Sequence, residues 1–351
     1  MDKIFLSVII PVYNTEKYLE KCIDSVLNAR SNVGDIVEIV VINDGSKGNC
    51  DEIIQKYRNL DNFVYIKQDN SGRGATRNVG ICASHGEYIT FVDSDDYIDS
   101  NMYKDMLEKI KEKNSDIVIC DIESVDEEEN KLLLIPGKNE KITDDKLGCF
   151  DVMMMPSCVN KIFRRSLFDG VLFPVNINYE DLATIPLIML KARGVSYIPN
   201  VYYYYVQNSN SIMNQDYSVE KLNILEALNI VFGKIDKLGL NEDVVNKAKY
   251  SLFTRRYYEE VLEKIMLSKQ NKAELVFNFV KIGKKIVTDM SLNPYLLKEI
   301  ESNGLFKKIG NRRLFKYIEQ GKLNKINNIL TLKKYYRCVA IIYASKSICD
   351  N

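Results

Sequence analysis

The first 120 residues alternate short apolar runs with segments whose apolar residues recur at helical spacing. The run Leu6–Val12 is almost continuously apolar, which is typical of a strand buried on both faces of a parallel sheet. Apolar residues at helical spacing follow it, from Tyr18 to Leu27. The same reasoning predicts further strands at 37–42, 63–66, 87–92 and 116–120. This order of elements predicts an α/β domain built from βαβ units.

Polar or glycine-bearing residues follow each of the first four predicted strands. They are Asn14, Asp44-Gly-Ser46, Asn70-Ser-Gly72 and Asp93-Ser-Asp-Asp96. Open α/β sheets bind their ligands at the carboxyl ends of the strands. We therefore expect these four segments to meet at one edge of the sheet.

The fourth of these segments is the most distinctive, because an apolar strand ends abruptly in three carboxylates. Asp93 and Asp95 stand at i and i+2, so an extended chain would turn both to the same side. Hard carboxylate oxygens suit Mg²⁺ or Mn²⁺, ions that usually arrive with phosphate groups. A helix start is the alternative, because acidic residues complement the helix dipole. Local sequence leaves both interpretations open.

Two other loops also allow two interpretations each. Asp44 either accepts hydrogen bonds from a nucleobase or opens a turn before a helix. Arg77 lies near the start of a predicted helix, 75–82, where it either binds an anion or remains a solvated surface residue. Arg77 also occupies the third glycine position of a GxGxxG pattern, and the chain contains no GxxxxGK[ST]. A dinucleotide-dependent dehydrogenase is therefore disfavoured.

Composition narrows the class of protein. The length of 351 residues predicts about two domains, and a hydrophobic content of 46% is enough for a large core. The 48 basic residues balance 48 acidic ones, so net charge gives no support for nucleic-acid binding. From Glu301 onward, however, eleven basic residues stand against three acidic ones. The segment 330–343 mixes cationic, aromatic and aliphatic residues and is too short to span a bilayer. It either lies on an anionic membrane or packs on helices, within the chain or in a homo-oligomer.

Cysteine and histidine usage restricts the chemistry. The eight cysteines form no CxxC pair, and no signal-peptide pattern is present, which together predict a cytoplasmic protein. The single histidine, His85, lies in a polar turn and excludes multi-histidine zinc sites. Acid–base chemistry must then fall mainly to carboxylates.

Taken in order, four motifs resemble family 2 glycosyltransferases of the GT-A fold, over about residues 3–213. The motifs are Pro11-Val-Tyr-Asn14, Asn43-Asp-Gly-Ser46, Asn70-Ser-Gly72 with Ala75-Thr-Arg77-Asn78, and Phe91-Val-Asp-Ser-Asp-Asp96. The resemblance implies a nucleotide-sugar donor, usually a UDP-sugar, bound by Pro11, Val12, Tyr13, Asn14, Asp44, Asn70, Arg77, Asp93 and Ser94. It also implies that Asp95 binds Mn²⁺ or Mg²⁺, with Asp93 contacting the ion or the nucleotide-sugar. Asp96 is left with the helix-start role.

A second pair of acids follows downstream. Asn178-Tyr-Glu180-Asp181 precedes an apolar helix, 185–190, and resembles the Glu-Asp motif of that family. The resemblance implies that Asp181 deprotonates the acceptor hydroxyl and that Glu180 positions Asp181 or the substrate. It also implies that a single displacement inverts the anomeric centre. Two acids at a helix start are the local alternative.

Two weaker matches complete the resemblance. Lys161, in a stretch similar to the family's Asn-Lys segment, is expected near the donor sugar or acceptor, although an amphipathic connector is equally compatible. Ser211 ends a tyrosine-rich strand and is expected to approach the diphosphate. Val206 and Asn208 depart from the pattern, because relatives often carry basic side chains there.

These observations predict a GT-A domain, Rossmann-like with a mixed sheet flanked by helices, over 1–217. A mainly helical region with a basic tail is predicted over 218–351. The expected activity is metal-dependent, inverting transfer of a sugar to a saccharide or lipid-linked acceptor in surface polysaccharide assembly. The expected location is the cytoplasm or the inner face of its membrane. A non-catalytic partner of an active transferase is the alternative, and a sugar nucleotidyltransferase is a weaker one.

Overall fold

The computed structural model describes residues 4–137, 156–207, 219–262, 265, 272–290 and 292–302. The chain divides into two compact units, Met1–Asn214 and Gln215–Asn351. Ser211, Asn208 and the basic segment 330–343 lie outside the described residues. Each unit is described by itself below.

Strands and helices alternate in the first unit. Its described strands are β1 (Leu6–Val12), β2 (Val37–Asn43), β3 (Phe63–Lys67), β4 (Tyr88–Phe91), β5 (Tyr97–Ile98), β6 (Ile117–Val125), β7 (Lys131–Ile135), β8 (Lys161–Arg164) and β9 (Val195–Val206). Its described α-helices are α1 (Glu16–Ser31), α2 (Cys50–Gln55), α3 (Arg73–Ala83), α4 (Met102–Lys113) and α5 (Glu180–Lys191). A 3₁₀ turn, Arg165–Phe168, follows β8.

The strands form one mixed sheet in the order β3-β2-β1-β4-β8-β6-β9-β5, with β7 paired beside β6. Strands β1 to β4 run parallel to one another, whereas β8 runs antiparallel to both β4 and β6. Strand β6 therefore points the same way as β4, and β9 is parallel to β6. The carboxyl ends of β1 to β4, β6 and β9 consequently lie at one edge, as the sequence predicted for β1 to β4.

Burial explains why the apolar runs are strands. Every residue of β1 and β2 is buried, because α3 packs on these strands and the parallel sheet is covered on both faces. A Cβ on Gly80 of α3 would lie 2.3 Å from the Ile9 side chain, so this close helix–strand contact needs glycine. Helix α1 buries Leu19, Cys22, Ile23, Val26 and Ala29, which follow the predicted helical spacing.

Two details differ from the sequence-based expectation. The segment after Asp93–Asp96 forms the short strand β5 and not a helix. The stretch 159–168, for which the pattern allowed a connector, contributes β8, which makes the sheet mixed.

His85 lies at the amino edge of the parallel strands, away from the carboxyl ends. Its backbone N–H donates to the buried Glu38 carboxylate at 2.5 Å, and Ser7 Oγ donates to the same carboxylate. The His85 side chain itself is 74% exposed. This agrees with the surface-turn interpretation of His85.

The described part of the second unit consists of helices and short connections. Its α-helices are α6 (Ile224–Ile235), α7 (Glu242–Leu252), α8 (Lys272–Met290) and α9 (Pro294–Ser302). Short 3₁₀ turns, Val219–Asn223 and Asp236–Leu238, flank α6, and Phe253–Leu262 continues α7 as a π-helix. Among the helices of the described residues, none has the length and apolar content needed to cross a membrane.

Candidate active site

The loops after β1 and β2 are joined directly by hydrogen bonds. The Asn14 backbone N–H donates to Ser46 Oγ at 3.0 Å, and the Lys47 backbone N–H donates to Asn14 Oδ1 at 2.9 Å. Asn14 adopts φ 52°, a left-handed conformation that asparagine tolerates better than most residues. Tyr13 is left 44% exposed beside this junction. An exposed aromatic ring therefore stands at the carboxyl edge, where the resemblance implies a nucleobase.

Asp44 holds the loop that follows β3. Its carboxylate accepts hydrogen bonds from Gln68 Nε2 at 2.6 Å, from the Ser71 backbone N–H at 2.9 Å and from the Gly72 backbone N–H at 3.0 Å. Asp44 is only 3% exposed. The exposed Asn70 belongs to this loop. The carboxylate of Asp44 thus brings the Asn70 motif to the edge of β2.

The segment 93–96 turns tightly after β4. Thr15 Oγ1 donates to Ser94 Oγ at 2.8 Å, which ties this turn to the start of α1. Asp93 and Asp95 are half-buried, whereas Ser94 is buried. Burial and the nearby charge of Asp93 raise the pKa of Asp95. Two half-buried carboxylates, those of Asp93 and Asp95, therefore share one turn.

Asp96 does not start a helix, so that expectation is wrong. Its carboxylate accepts a hydrogen bond from the Tyr203 hydroxyl at 2.6 Å and another from the Val206 backbone N–H at 2.9 Å. The same hydroxyl accepts a hydrogen bond from the Asp93 backbone N–H at 3.2 Å. Burial and the charge of Asp95 raise the pKa of Asp96. Asp96 and Tyr203 together fasten the turn to β9.

Arg77 lies at the centre of the site. Its Nη1 donates to Glu180 Oε1 at 2.5 Å and to Asp181 Oδ1 at 2.8 Å, and its Nη2 donates to Asp93 Oδ1 at 2.9 Å. The Arg77 side chain is 1% exposed, and its Nε is buried with no hydrogen-bond partner in the described part of the chain. One guanidinium thus joins the first carboxylate of the 93–95 turn to both acids of the downstream pair.

The downstream acids are the first two residues of α5. Tyr179, just before them, adopts φ 64°, which is strained for a bulky residue. Burial raises the pKa of Asp181 to about 6, against the opposing effect of the Arg77 charge. The Asp181 side chain nevertheless remains 23% exposed. Asp181 is therefore positioned by protein contacts and still reachable by a small molecule.

Lys161 is close to this pair but points into the protein. Its Nζ donates to the Ser157 carbonyl at 2.7 Å and to Asn160 Oδ1 at 2.6 Å, and burial lowers the pKa of Lys161 to about 8. Within the same turn, the Cys158 backbone N–H lies 3.4 Å from Asp181 Oδ2. Lys161 thus braces the turn that contacts Asp181.

The sequence did not identify Cys158, Tyr203 or Arg73 as part of this region. Tyr203 belongs to the tyrosine-rich strand noted in the sequence, but no local pattern indicates its bond to Asp96, and none marks Cys158. Arg73 could have been found, because it precedes Arg77 by one helical turn. Val206, which departs from the pattern implied by the resemblance, is buried at 7% exposure.

A divalent cation is implied by the resemblance, and the residues present fit it. Asp93 and Asp95 are hard oxygen donors on one turn, and Asp95 has no ion-pair partner within 4 Å among the described residues. No group of three or more His, Cys, Asp or Glu side chains able to hold a metal occurs in the described ranges. Mg²⁺ and related ions are commonly held by one or two carboxylates together with substrate phosphates and water. The pair Asp93 and Asp95 matches that arrangement.

Comparison with known proteins agrees with the fold. Residues 7–172 match the family model described as Glycosyl transferase family 2. The chain is similar to the glycosyltransferase GlyG of Streptococcus pneumoniae, with 31% identity over 229 residues, which are 61% of this chain and 74% of GlyG. It is also similar to the poly(ribitol-phosphate) beta-N-acetylglucosaminyltransferase TarS of Staphylococcus aureus, with 29% identity over 255 residues, 69% of this chain and 44% of TarS.

Solved structures extend the comparison to nearly the whole chain. TarS residues 1–349 in complex with UDP-GlcNAc superpose with a TM-score of 0.66 at 23% identity, covering 95% of this chain and 91% of that one. The mannosyltransferase PcManGT of Pyrobaculum calidifontis, in complex with GDP-Man and Mn²⁺, gives a TM-score of 0.51 at 14% identity, covering 99% and 87%. The expected GT-A fold and helical C-terminal region are confirmed. The chain belongs to glycosyltransferase family 2, and it is a glycosyltransferase.

Proposed function

We propose that the protein is a metal-dependent, inverting glycosyltransferase that moves a sugar from a UDP-sugar to a hydroxyl of a saccharide or lipid-linked acceptor. The observation that carries this proposal is the shared guanidinium of Arg77. This guanidinium contacts both Asp93, the carboxylate proposed to face the donor, and Asp181, the proposed catalytic base. A transferase needs these two functions next to each other, because bond breaking and hydroxyl attack occur at one carbon.

The donor would lie along the carboxyl edge of the sheet. Tyr13 offers an exposed ring to the nucleobase, while Pro11 and Val12 end β1 and Asn14 follows in the loop. The Asp44 carboxylate already accepts hydrogen bonds from the 68–72 loop. A hydrogen bond from the nucleobase to Asp44 would have to form in addition to these. Asn70 is exposed on that loop and is available to a ligand. Ser94 is proposed at the sugar-diphosphate end of the same edge.

Asp93 and Asp95 would hold Mn²⁺ or Mg²⁺. When bound, such an ion supplies Lewis-acid stabilisation of the negative charge on the departing diphosphate. The related proteins support this choice, because PcManGT was solved with Mn²⁺ and TarS with UDP-GlcNAc.

Asp181 would take the proton of the acceptor hydroxyl. It must be ionised to do so, and a pKa of about 6 leaves most molecules ionised near neutral pH. Arg77 and the turn at Cys158 hold the carboxylate in place, while Glu180, bound to the same guanidinium, fixes the start of α5. Attack from the side opposite the diphosphate would invert the anomeric centre.

The acceptor is proposed by analogy with named relatives. TarS is named for poly(ribitol-phosphate), which is a polymer bearing hydroxyl groups. We propose an acceptor of the surface polysaccharide or glycoconjugate class, which places the enzyme in the cytoplasm, where nucleotide-sugars are available.

A donor panel tests the proposal. The purified chain is incubated with UDP-glucose, UDP-GlcNAc, UDP-galactose and GDP-mannose, each with Mn²⁺, with Mg²⁺ and with EDTA, and both binding and nucleoside diphosphate release are measured. We expect metal-dependent release of UDP from at least one donor, and loss of release in Asp181→Asn. Binding without release, even with saccharide acceptors present, would support the non-catalytic partner instead. Release of pyrophosphate from a nucleoside triphosphate and sugar phosphate would identify a nucleotidyltransferase.

A further inference from the structure

The candidate active site carries an excess of negative charge. Four carboxylates surround the shared edge, from Asp93, Asp95, Glu180 and Asp181, whereas the buried Asp96 is bonded to Tyr203. A nucleoside diphosphate would add further negative charge to this site. A divalent ion offsets only part of it, so a cation of the protein should also face the phosphates.

Most cations near this edge are already bound to protein groups. The Arg77 guanidinium is 1% exposed and pairs with three carboxylates. Lys161 is buried and donates to neighbours in its own turn. On the other side of Asp95, Lys21 pairs with Glu129 at 2.7 Å, and Lys17 pairs with Glu127. Each of these groups would have to break a protein contact before binding phosphate.

Arg73 differs from all of them. It is the first residue of α3 and is exposed, and within the described residues its guanidinium makes no hydrogen bond and no ion pair within 4 Å. Because it precedes Arg77 by four residues, both side chains project from one face of the helix, and helical side chains lean toward the amino end. Arg73 therefore lies on the solvent side of Arg77 and the three carboxylates that pair with it.

Two further observations point to the same location. Partial burial lowers the pKa of Arg73, whereas the charges of Asp93 and Glu180 raise it. The net direction of the pKa is upward, so the guanidinium lies within the field of these carboxylates. Arg77 Nε, buried without a partner in the described chain, is a second unused donor on the same helix face. The start of α3 is also fixed in place, because a Cβ on Gly74 would lie 2.2 Å from the Pro174 carbonyl oxygen.

We propose that Arg73 binds the diphosphate of the nucleotide-sugar and stays with the nucleoside diphosphate after transfer. This inference rests on the proposed function. A guanidinium suits the task because its planar donors match phosphate oxygens in pairs. Arg73 thereby supplies, from α3, a positive charge that Val206 does not supply from β9.

Calorimetric titration with UDP and with uridine, both in the presence of Mn²⁺, tests the inference. Arg73→Ala should weaken UDP binding about 10- to 100-fold, because a hydrogen-bonded ion pair is lost, and should leave uridine binding unchanged. Arg73→Lys should recover part of the loss, since it restores charge without the planar fork. Arg58→Ala is the matched control: Arg58 is an exposed arginine of the same unit that follows α2. It should bind both ligands like the wild type.

The outcomes separate this inference from the proposed function. UDP binding by Arg73→Ala within about twofold of wild type would overturn the role of Arg73 while leaving the transferase proposal intact. Equal losses of UDP and uridine would also overturn it, because the effect would then not concern phosphate. If the wild-type chain bound neither UDP nor any other nucleoside diphosphate that the donor panel releases, both proposals would be overturned. Circular dichroism of each variant checks that the fold is retained.

Discussion

Replacing Arg77 with methionine should destabilise the first unit strongly. Methionine keeps much of the length and apolar bulk of the side chain, so the change removes mainly the charge and its hydrogen bonds. Three carboxylates then lose their common partner: Glu180, Asp181 and Asp93. Because they lie together, they would also repel one another.

The size of the effect follows from burial. Removing one partner of a buried ion pair costs about 3–5 kcal/mol, because the remaining charge is left uncompensated. Here Glu180 is 9% exposed, whereas Asp181 and Asp93 are 23% and 24% exposed, so water can solvate two of the three in part. We therefore expect the lower end of that range, about 3 kcal/mol.

Urea unfolding of wild type and variant measures this difference. Arg193→Met is the matched control, because Arg193 also pairs with a carboxylate, Asp116 at 3.4 Å, but its side chain is 83% exposed. The control should lose less than about 1 kcal/mol. Combining Arg77→Met with Asp93→Asn should cost less than the sum of the single changes by about 1 kcal/mol or more. If Arg77→Met were no more destabilising than Arg193→Met, the shared counter-ion would have no energetic importance.

Four further predictions concern activity and the turn after β4. Asp181→Asn should abolish sugar transfer and leave UDP binding within about twofold of wild type, measured by calorimetry; full transfer would remove Asp181 as base. Because burial raises the pKa of Asp181 to about 6 and the ionised form is the base, kcat/KM should fall about tenfold per pH unit below 6 and level off above it; a flat profile down to pH 5 would contradict this. Asp95→Ala should lose both activity and the enhancement of UDP binding by Mn²⁺, and a retained Mn²⁺ effect would exclude Asp95 as ligand. Tyr203→Phe should cost about 1–3 kcal/mol in urea unfolding, since the buried Asp96 loses a donor, and an unchanged midpoint would show that this hydrogen bond does not hold the turn.

Much of the fold was accessible from the sequence because its signals are local. Continuous apolar runs identified β1 and β2 within one residue of the observed bounds, and helical spacing identified α1, which extends four residues beyond the predicted pattern at its carboxyl end. The joining of polar segments at one edge followed from the parallel arrangement of β1, β2 and β4, which such patterns favour.

The contacts that organise the site were not accessible, because they depend on side chains far apart in the chain. Asp96 ends a run of acidic residues after a strand, which is also the pattern of a helix start, and only its bonds to the Tyr203 hydroxyl and the Val206 backbone N–H give it another role. Lys161 looked like a ligand-binding residue by resemblance, but its ammonium group meets acceptors in its own turn. Roles in donor and acceptor binding stay predictions until the variants are measured.

The sequence separation between Arg77 and its partners also determines when the ion pairs of the site can form during synthesis. Asp93 is 16 residues beyond Arg77, but Glu180 and Asp181 are 103 and 104 residues away. At about 5–20 residues per second, a ribosome adds the distant pair several seconds after the near carboxylate. A fragment ending at residue 172, where the family match ends, would contain Arg77 with one of its three partners. We therefore expect such a fragment to stay protease-sensitive, and the first unit to become resistant only after α5 has been synthesised.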